Sequence, residues 1–252
     1  MPAIFQFKLL IKKALTSFCR DRFLRTARDL SDTLPEGPLL VIAPHPDDET
    51  LGCGGLIRRY RDKGHLVRIV VVTDGGEVHL PQIPKGQDIA SLRRKESLNA
   101  TAALGVESHD VVFLGHPDGA TGKHLAQIED DLASQYWLTP PGLVLSPCLI
   151  DLHADHRHIA TIVRKLVAAG KISCPVLEYP LWFWPKGAFR HLFSHKLLET
   201  HRKVDIRPYL AAKQTAIDAY IHQKNDPNWK QLEAMGLAKD MPDYELFFAV
   251  AP

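Results

Sequence analysis

The sequence has few cysteines and spaces them far apart. Cys19, Cys53, Cys148 and Cys174 form no CxxC pair and no zinc-finger spacing. That excludes a disulfide scaffold and a thiolate metal knuckle, and reads as the reduced thiols of a cytoplasmic protein. No run of eighteen apolar residues occurs, so no transmembrane helix is predicted. Neither sign of charge dominates: the formal net charge is +2, without the basic field of a general nucleic-acid binder. There is no internal repeat and no low-complexity segment. Gly52, Gly54 and Gly55 miss the GxGxxG dinucleotide fingerprint, because position 57 is Ile57, and the acidic residues beside them would repel a pyrophosphate.

What is present suits one large soluble domain with an appendage. The 252 residues are 45% apolar and 24% charged, enough for a sizeable core. Residues 1–35 read as a basic amphipathic helix followed by the linker "TLPEGP". Lys12 and Lys13 break its apolar run and no small-residue cleavage site follows, unlike a signal peptide. Two uses stand open for it: docking on an anionic membrane surface or partner, or packing on the body. Residues 36–252 form the main domain. "LLVIA", "LVRIVVVTDG", "DVVFLG", "GLVLSP" and "CPVLEYP" read as buried strands separated by helical segments, which predicts a Rossmann-like α/β sheet of mainly parallel strands with helices on both faces. A helix is expected over "PYLAAKQTAIDAYIHQ", and one or two short strands over "SHKLLETHRKVDI". The closing "DYELFFAVAP" is expected near the mouth of the site.

The first strand runs straight into "PHPDDE", placing His45, Asp47, Asp48 and Glu49 together. Adjacent buried carboxylates raise each other's pKa and need compensation, for which a divalent cation is the natural source. Pro44 and Pro46 restrict the backbone on both sides of His45. His45 and Asp48 are three residues apart, so at a strand–helix junction both can face one point, and imidazole with carboxylate suits zinc. Asp48 or Thr50 could instead be a simple helix cap. A third ligand is expected from "HADH" after the fourth strand, where His153 and His156 flank Asp155; one can ligate while the other faces a substrate. The thirteen histidines, several beside carboxylates, fit metal or acid–base chemistry.

With these motifs in hand, the chain resembles the PIG-L family of N-acetylglucosaminyl deacetylases, the LmbE-like proteins. The resemblance covers roughly residues 38–250 and rests on "PHPDDE" and "HADH", with weaker matches at "TDG", "RRKE" with the following "LGV", "FLGHPDG" and "KQTAIDAYIHQ". In the last, the family often has Ser or Thr before the glutamine where this chain has His222. The resemblance implies zinc ligands at His45, Asp48 and His156, a general base at Asp47, an oxyanion-stabilising histidine at His153 and an orienting or charging residue for it at Asp155. It implies hydrolysis of the N-acetyl group of an N-acetylglucosamine-type sugar or conjugate, with zinc or another divalent metal such as iron or cobalt. Arg93 matches the family's sugar- or phosphate-contacting arginine. Asp118 could bond sugar hydroxyls, and Trp182 and Trp184 could stack on a sugar face. Glu49 is expected to support the loop or a ligand. Two alternatives stand beside this reading: hydrolysis of another N-acyl natural-product or lipid-linked glycan intermediate, and a non-catalytic sugar-binding module with a structural metal. The partner is then a small molecule or glycan, not a nucleic acid.

Overall fold

The structure is a computed structural model that describes residues 3–77, 88–184, 188, 194 and 199–251. Its elements in chain order are α1 (Ala3–Thr26), β1 (Arg28–Asp29), β2 (Leu39–Ala43), α2 (Asp48–Asp62), β3 (Val67–Thr73), α3 (Ile89–Ala103), β4 (Val111–His116), α4 (Leu125–Leu138), β5 (Leu143–Pro147), α5 (Ala154–Ala168), β6 (Val176–Tyr179), β7 (His201–Asp205), α6 (Leu210–Asp218), α7 (Pro227–Ala234) and β8 (Tyr244–Ala249). The strands form one sheet in the order β1-β7-β8-β6-β5-β2-β3-β4. From β6 to β4 all neighbours are parallel; β8 runs antiparallel to β6 and β7.

The apolar runs form this sheet because both its faces are covered. Leu39, Val41 and Ala43 face one core with Leu56, Ile57 and Ala100 of α2 and α3. Leu40 and Ile42 face the other with Ile128 and Leu132 of α4 and Ile159 and Val163 of α5. This alternation is the two-residue period of a strand, read on two apolar faces at once. The helices stop where the sequence directs: Gly64 and Gly105 take φ of +80° and +84° just beyond α2 and α3. The Asp88 carboxylate caps α3 by accepting from the Ser91 amide at 3.1 Å.

Connections from β2 lead outward to β3 and β4, whereas β5 leads the other way to β6. The sheet therefore has its switch point between β2 and β5, where such folds bind ligands at the strands' carboxyl ends. "PHPDDE" and "HADH" follow those two strands.

Two expectations are revised. The closing segment is not a rim element: β8 lies inside the sheet between β6 and β7. Its Glu245 accepts from the amides of Gly55 and Leu56 of α2 at 2.8 and 2.9 Å and from Lys213 at 2.7 Å. The helix expected through residue 223 ends at Asp218, and Tyr220 turns inward to donate to Glu49 at 2.9 Å. The N-terminal segment packs on the body, one of the two uses open to it: Cys19, Phe23 and Ala27 sit in the core and β1 pairs with β7. The strand expected around residue 200 is β7; residues 195–198 of that stretch, the loop at 78–87 and residues 185–187 lie outside the described residues.

Glycine in "GCGG" is a packing requirement. A Cβ on Gly52 would lie 2.5 Å from Cδ2 of Tyr179. That ring is fully buried and its hydroxyl donates to the Ile42 carbonyl at 2.7 Å, so it cannot swing aside. Gly52→Ala gains up to about 1 kcal/mol of helix propensity but overpacks at a cost of about 1–3 kcal/mol. The expected net effect is a lower urea midpoint; an unchanged or higher midpoint would show that α2 and β6 can part freely.

Candidate metal centre and active-site cleft

The turn after β2 is held from outside. The backbone amide and Oγ1 of Thr73 both donate to the Pro44 carbonyl at 2.9 Å, fixing the exit of the strand. Glu49 is fully buried and accepts from the Asp47 amide at 3.1 Å, Ser97 at 2.8 Å and Tyr220 at 2.9 Å. Burial pushes its carboxyl up to about 7, against the hydrogen bond from Ser97.

On this frame three side chains from the two motifs meet. Asp48 Oδ2 lies 3.1 Å from Nδ1 of His45 and 3.2 Å from Nε2 of His156. Both ring nitrogens of His156 are buried and make no hydrogen bond among the described residues, although carboxylates lie within 3.3 Å of each. A carboxylate set between two imidazoles is placed to share a cation with them. Ring nitrogens of His45, His153 and His156 also lie within 4.8 Å of one another. The far sides of the rings face carboxylates: His45 Nε2 meets Asp118 at 3.1 Å and Asp155 at 3.3 Å, and His156 Nδ1 meets Asp151 at 3.3 Å. Imidazole metal ligands are oriented in this way by outer carboxylates.

The electrostatics favour a cation. Burial works against charging His156, yet Asp48 and Asp151 carry its ring up to about 9. His45 is likewise raised, with Asp118, Asp155 and Asp48 outweighing burial. A cluster that draws protons onto its imidazoles also draws a metal ion, which would displace them. The donor set of two imidazoles and a carboxylate fits zinc and its nitrogen–oxygen competitors.

Asp47 stands beside this centre, 8% exposed, with its Oδ2 3.2 Å from the Arg93 guanidinium. Burial pushes its carboxyl up to about 6 while Arg93 pulls it down. Arg93 is itself buried and donates to the Gly75 carbonyl at 3.0 Å; it is no solvated helix charge. Asp155 bonds to His45, Thr121 and the Gly119 amide, so its partner ring is His45 where the sequence reading gave it His153. Burial and the neighbouring His45 and His156 push His153 down to about 4, which makes its ring neutral at pH 7. Its Nδ1 is buried with no hydrogen-bond partner among the described residues.

Above the centre opens a cleft of about 360 Å³, within the range of small-ligand sites. Asp47, Arg93, Asp118, His153 and Trp182 line it. Trp184 does not: it is 4% exposed, edge-on to Phe23 and Phe183, so its assignment to substrate is corrected to the core. Gln223, noted in the sequence only within the late-helix match, also lines the cleft, and the sequence reading passed over Asp226 and Trp229, which bring the start of α7 into its wall. "DPNW", an N-cap followed by proline, was the available signal. It also passed over Asp151, two residues before His153.

A mostly parallel α/β sheet with a histidine–aspartate cluster at its switch point defines a Rossmann-like protein built around a metal-capable cleft. The chain belongs to the PIG-L family: that family's sequence model, described as GlcNAc-PI de-N-acetylase, matches residues 40–167, which hold both motifs. It is similar to the diacetylchitobiose deacetylase of Thermococcus kodakarensis, 28% identical over 123 residues, 48% of this chain and 45% of that protein. It is also similar to the 1D-myo-inositol 2-acetamido-2-deoxy-alpha-D-glucopyranoside deacetylase of Salinispora arenicola, 39% identical over 90 residues, 33% of this chain and 29% of that protein. The matched stretch spans less than half the length of either relative. In structure it resembles GalB, the 4-carboxy-2-hydroxymuconate hydratase of Pseudomonas putida KT2440, with TM-score 0.65 and 21% identity over 86% of this chain and 97% of that one. That likeness concerns the fold, since one fold hosts several chemistries.

The Asp151 carboxylate also accepts from the amides of His153 at 2.9 Å and Trp182 at 2.9 Å. Asp151→Asn is expected to weaken zinc binding about 10–100-fold, read by competition with a chelating dye. Unchanged affinity with a lowered melting temperature would reduce Asp151 to a brace for these two loops.

Proposed function

We propose that the protein is a metal-dependent N-deacetylase that removes the acetyl group from an N-acetylglucosamine-type amino sugar or its conjugate. The observation that carries this reading is the division between two adjacent aspartates. Asp48 faces two imidazoles, while Asp47 faces Arg93 and the cleft. One carboxylate is thereby assigned to the metal and the other is left to carry a proton. His45, Asp48 and His156 would hold the ion, zinc in the first instance. When bound, it supplies Lewis-acid polarisation of the acetyl carbonyl and acidifies water.

Asp47 accepts the proton of the attacking water and returns it to the amine nitrogen as the carbon–nitrogen bond breaks, giving acetate and a free amine. Arg93 keeps Asp47 oriented and ionised. His153 acts as a neutral hydrogen-bond donor to the developing oxyanion. Asp155 and Asp118 fix His45, as Asp151 fixes His156. Trp182 and Trp229 offer apolar faces for a sugar ring. Beside Asp47 and Asp48, three further acidic groups line the cleft, Glu77, Asp118 and Asp226, and fit hydroxyl-rich or amine-bearing substrates.

The closeness of His153 to His45 and His156 favours a second reading, in which His153 is a further ligand and the site is closed and structural. Metal content separates the two: His153→Ala retains the metal in the first reading and sheds it in the second.

Primary-amine release from free, chitobiose-type, inositol-linked, lipid-linked and aminoglycoside N-acetyl sugars, with zinc and with chelator, tests the proposal. The expected result is chelator-sensitive release of amine and acetate in equal amounts from at least one. Asp47→Ala is expected to cut turnover by about 10²–10⁴-fold while keeping stoichiometric metal. No release from any substrate by the metal-loaded protein would move the reading to another acyl group.

A further inference from the structure

Helix α1 is apolar on two opposite faces. One is used: Thr16, Cys19 and Phe23 are buried, Arg20 donates to the Met235 carbonyl at 3.0 Å and Lys13 to Asp240 at 3.0 Å. The other is open. Phe7 (63%), Leu10 (64%), Ile11 (44%), Leu15 (40%) and Phe18 (60%) account for five of the nine large hydrophobic side chains most exposed among the described residues. Spacings of three and four place them, with the exposed Ala14, on one stripe parallel to the helix axis. A helix that is apolar on both faces needs cover on both.

The charge around the stripe selects the cover. Residues 3–28 carry seven Lys or Arg and a single acid, Asp21. Continuing the stripe by four and seven residues from Phe18 leads to Arg22 and to the exposed Arg25. A second copy docked through this face would oppose two strongly basic helices, which the burial of five side chains would have to overcome. A surface that is apolar beneath and anionic on top matches both features.

We propose that α1 is a docking helix that lays its Phe7–Phe18 stripe into an anionic phospholipid surface. Phe7 and Phe18 enter the headgroup–acyl boundary, and the exposed Arg25 at the end of the stripe meets the lipid phosphates. The packed half of the helix, through Phe23 and the contacts of Arg20 and Lys13 to residues 235 and 240, ties the body to that surface. The inference does not depend on which bond the cleft hydrolyses. No helix among the described residues is long and apolar enough to cross a membrane, so attachment through α1 is peripheral.

Co-sedimentation of the full chain with phosphatidylcholine vesicles, with and without phosphatidylglycerol, tests it. The wild-type chain is expected to bind phosphatidylglycerol vesicles and to be released as salt rises. The double variant Phe7→Ser with Phe18→Ser is expected to bind about tenfold or more weakly, at an unchanged melting temperature because both rings are exposed. The proposal is overturned if wild type does not bind, if the variant binds as well, if uncharged vesicles bind equally, or if wild type is a dimer in solution that the double variant splits.

Discussion

Asp48 lies between His45 and His156, 3.1 and 3.2 Å from their nitrogens, and most of the architecture around it serves that meeting. Asp48, Asp118, Asp151 and Asp155 each come within 3.3 Å of one of these rings, and Asp47 stands beside them with Arg93 the buried guanidinium opposite. In a low-dielectric crevice such a cluster is repulsive unless cations compensate it. The raised imidazole pKa values are the cluster's answer when only protons are available. A divalent ion answers the same need with a fixed position and two charges.

The constraint explains why the motifs sit at the switch point. Only there do two parallel strands diverge and leave a crevice that their following loops can line from both sides. β2 delivers His45 and the aspartate pair; β5 delivers Asp151, His153 and His156. β4 adds Asp118 and the Gly119 amide, which hold His45 and Asp155. The glycines of α2 let this helix start close against Tyr179 and Ile206, so the ligand turn is braced by the antiparallel end of the sheet. Glu245 extends that brace into the middle of α2.

The family and the fold leave the reaction to the site. A hydratase shares the fold, and the named deacetylase relatives match this chain over less than half their lengths. What supports the proposed amide hydrolysis is local: Asp47 faces Arg93 and the cleft while the adjacent Asp48 faces two imidazoles, His153 lines the same cleft, and there is room above them. α7 builds one wall of the cleft with Trp229 and Asp226, and α1 packs behind that wall through Arg20 and Met235.

The sequence by itself determined the strand order of chemistry: apolar runs, glycine stops and two motifs whose internal spacing of three places His45 with Asp48 and His153 with His156. Such short-range relations follow from backbone geometry, which is why they were legible. Only the tertiary structure decided the partners across the chain. Asp155 turns to His45 instead of His153 because the loop after β4 supplies Thr121 and Gly119 to hold it there. Trp182 and Trp184 are two residues apart, yet one lines the cleft and the other packs on Phe23, since which side of a loop faces the core depends on what packs beneath it. That one face of α1 packs on the body was one of two uses the sequence left open; which residues form that face was settled by the cores of distant elements, whose packing no local spacing encodes.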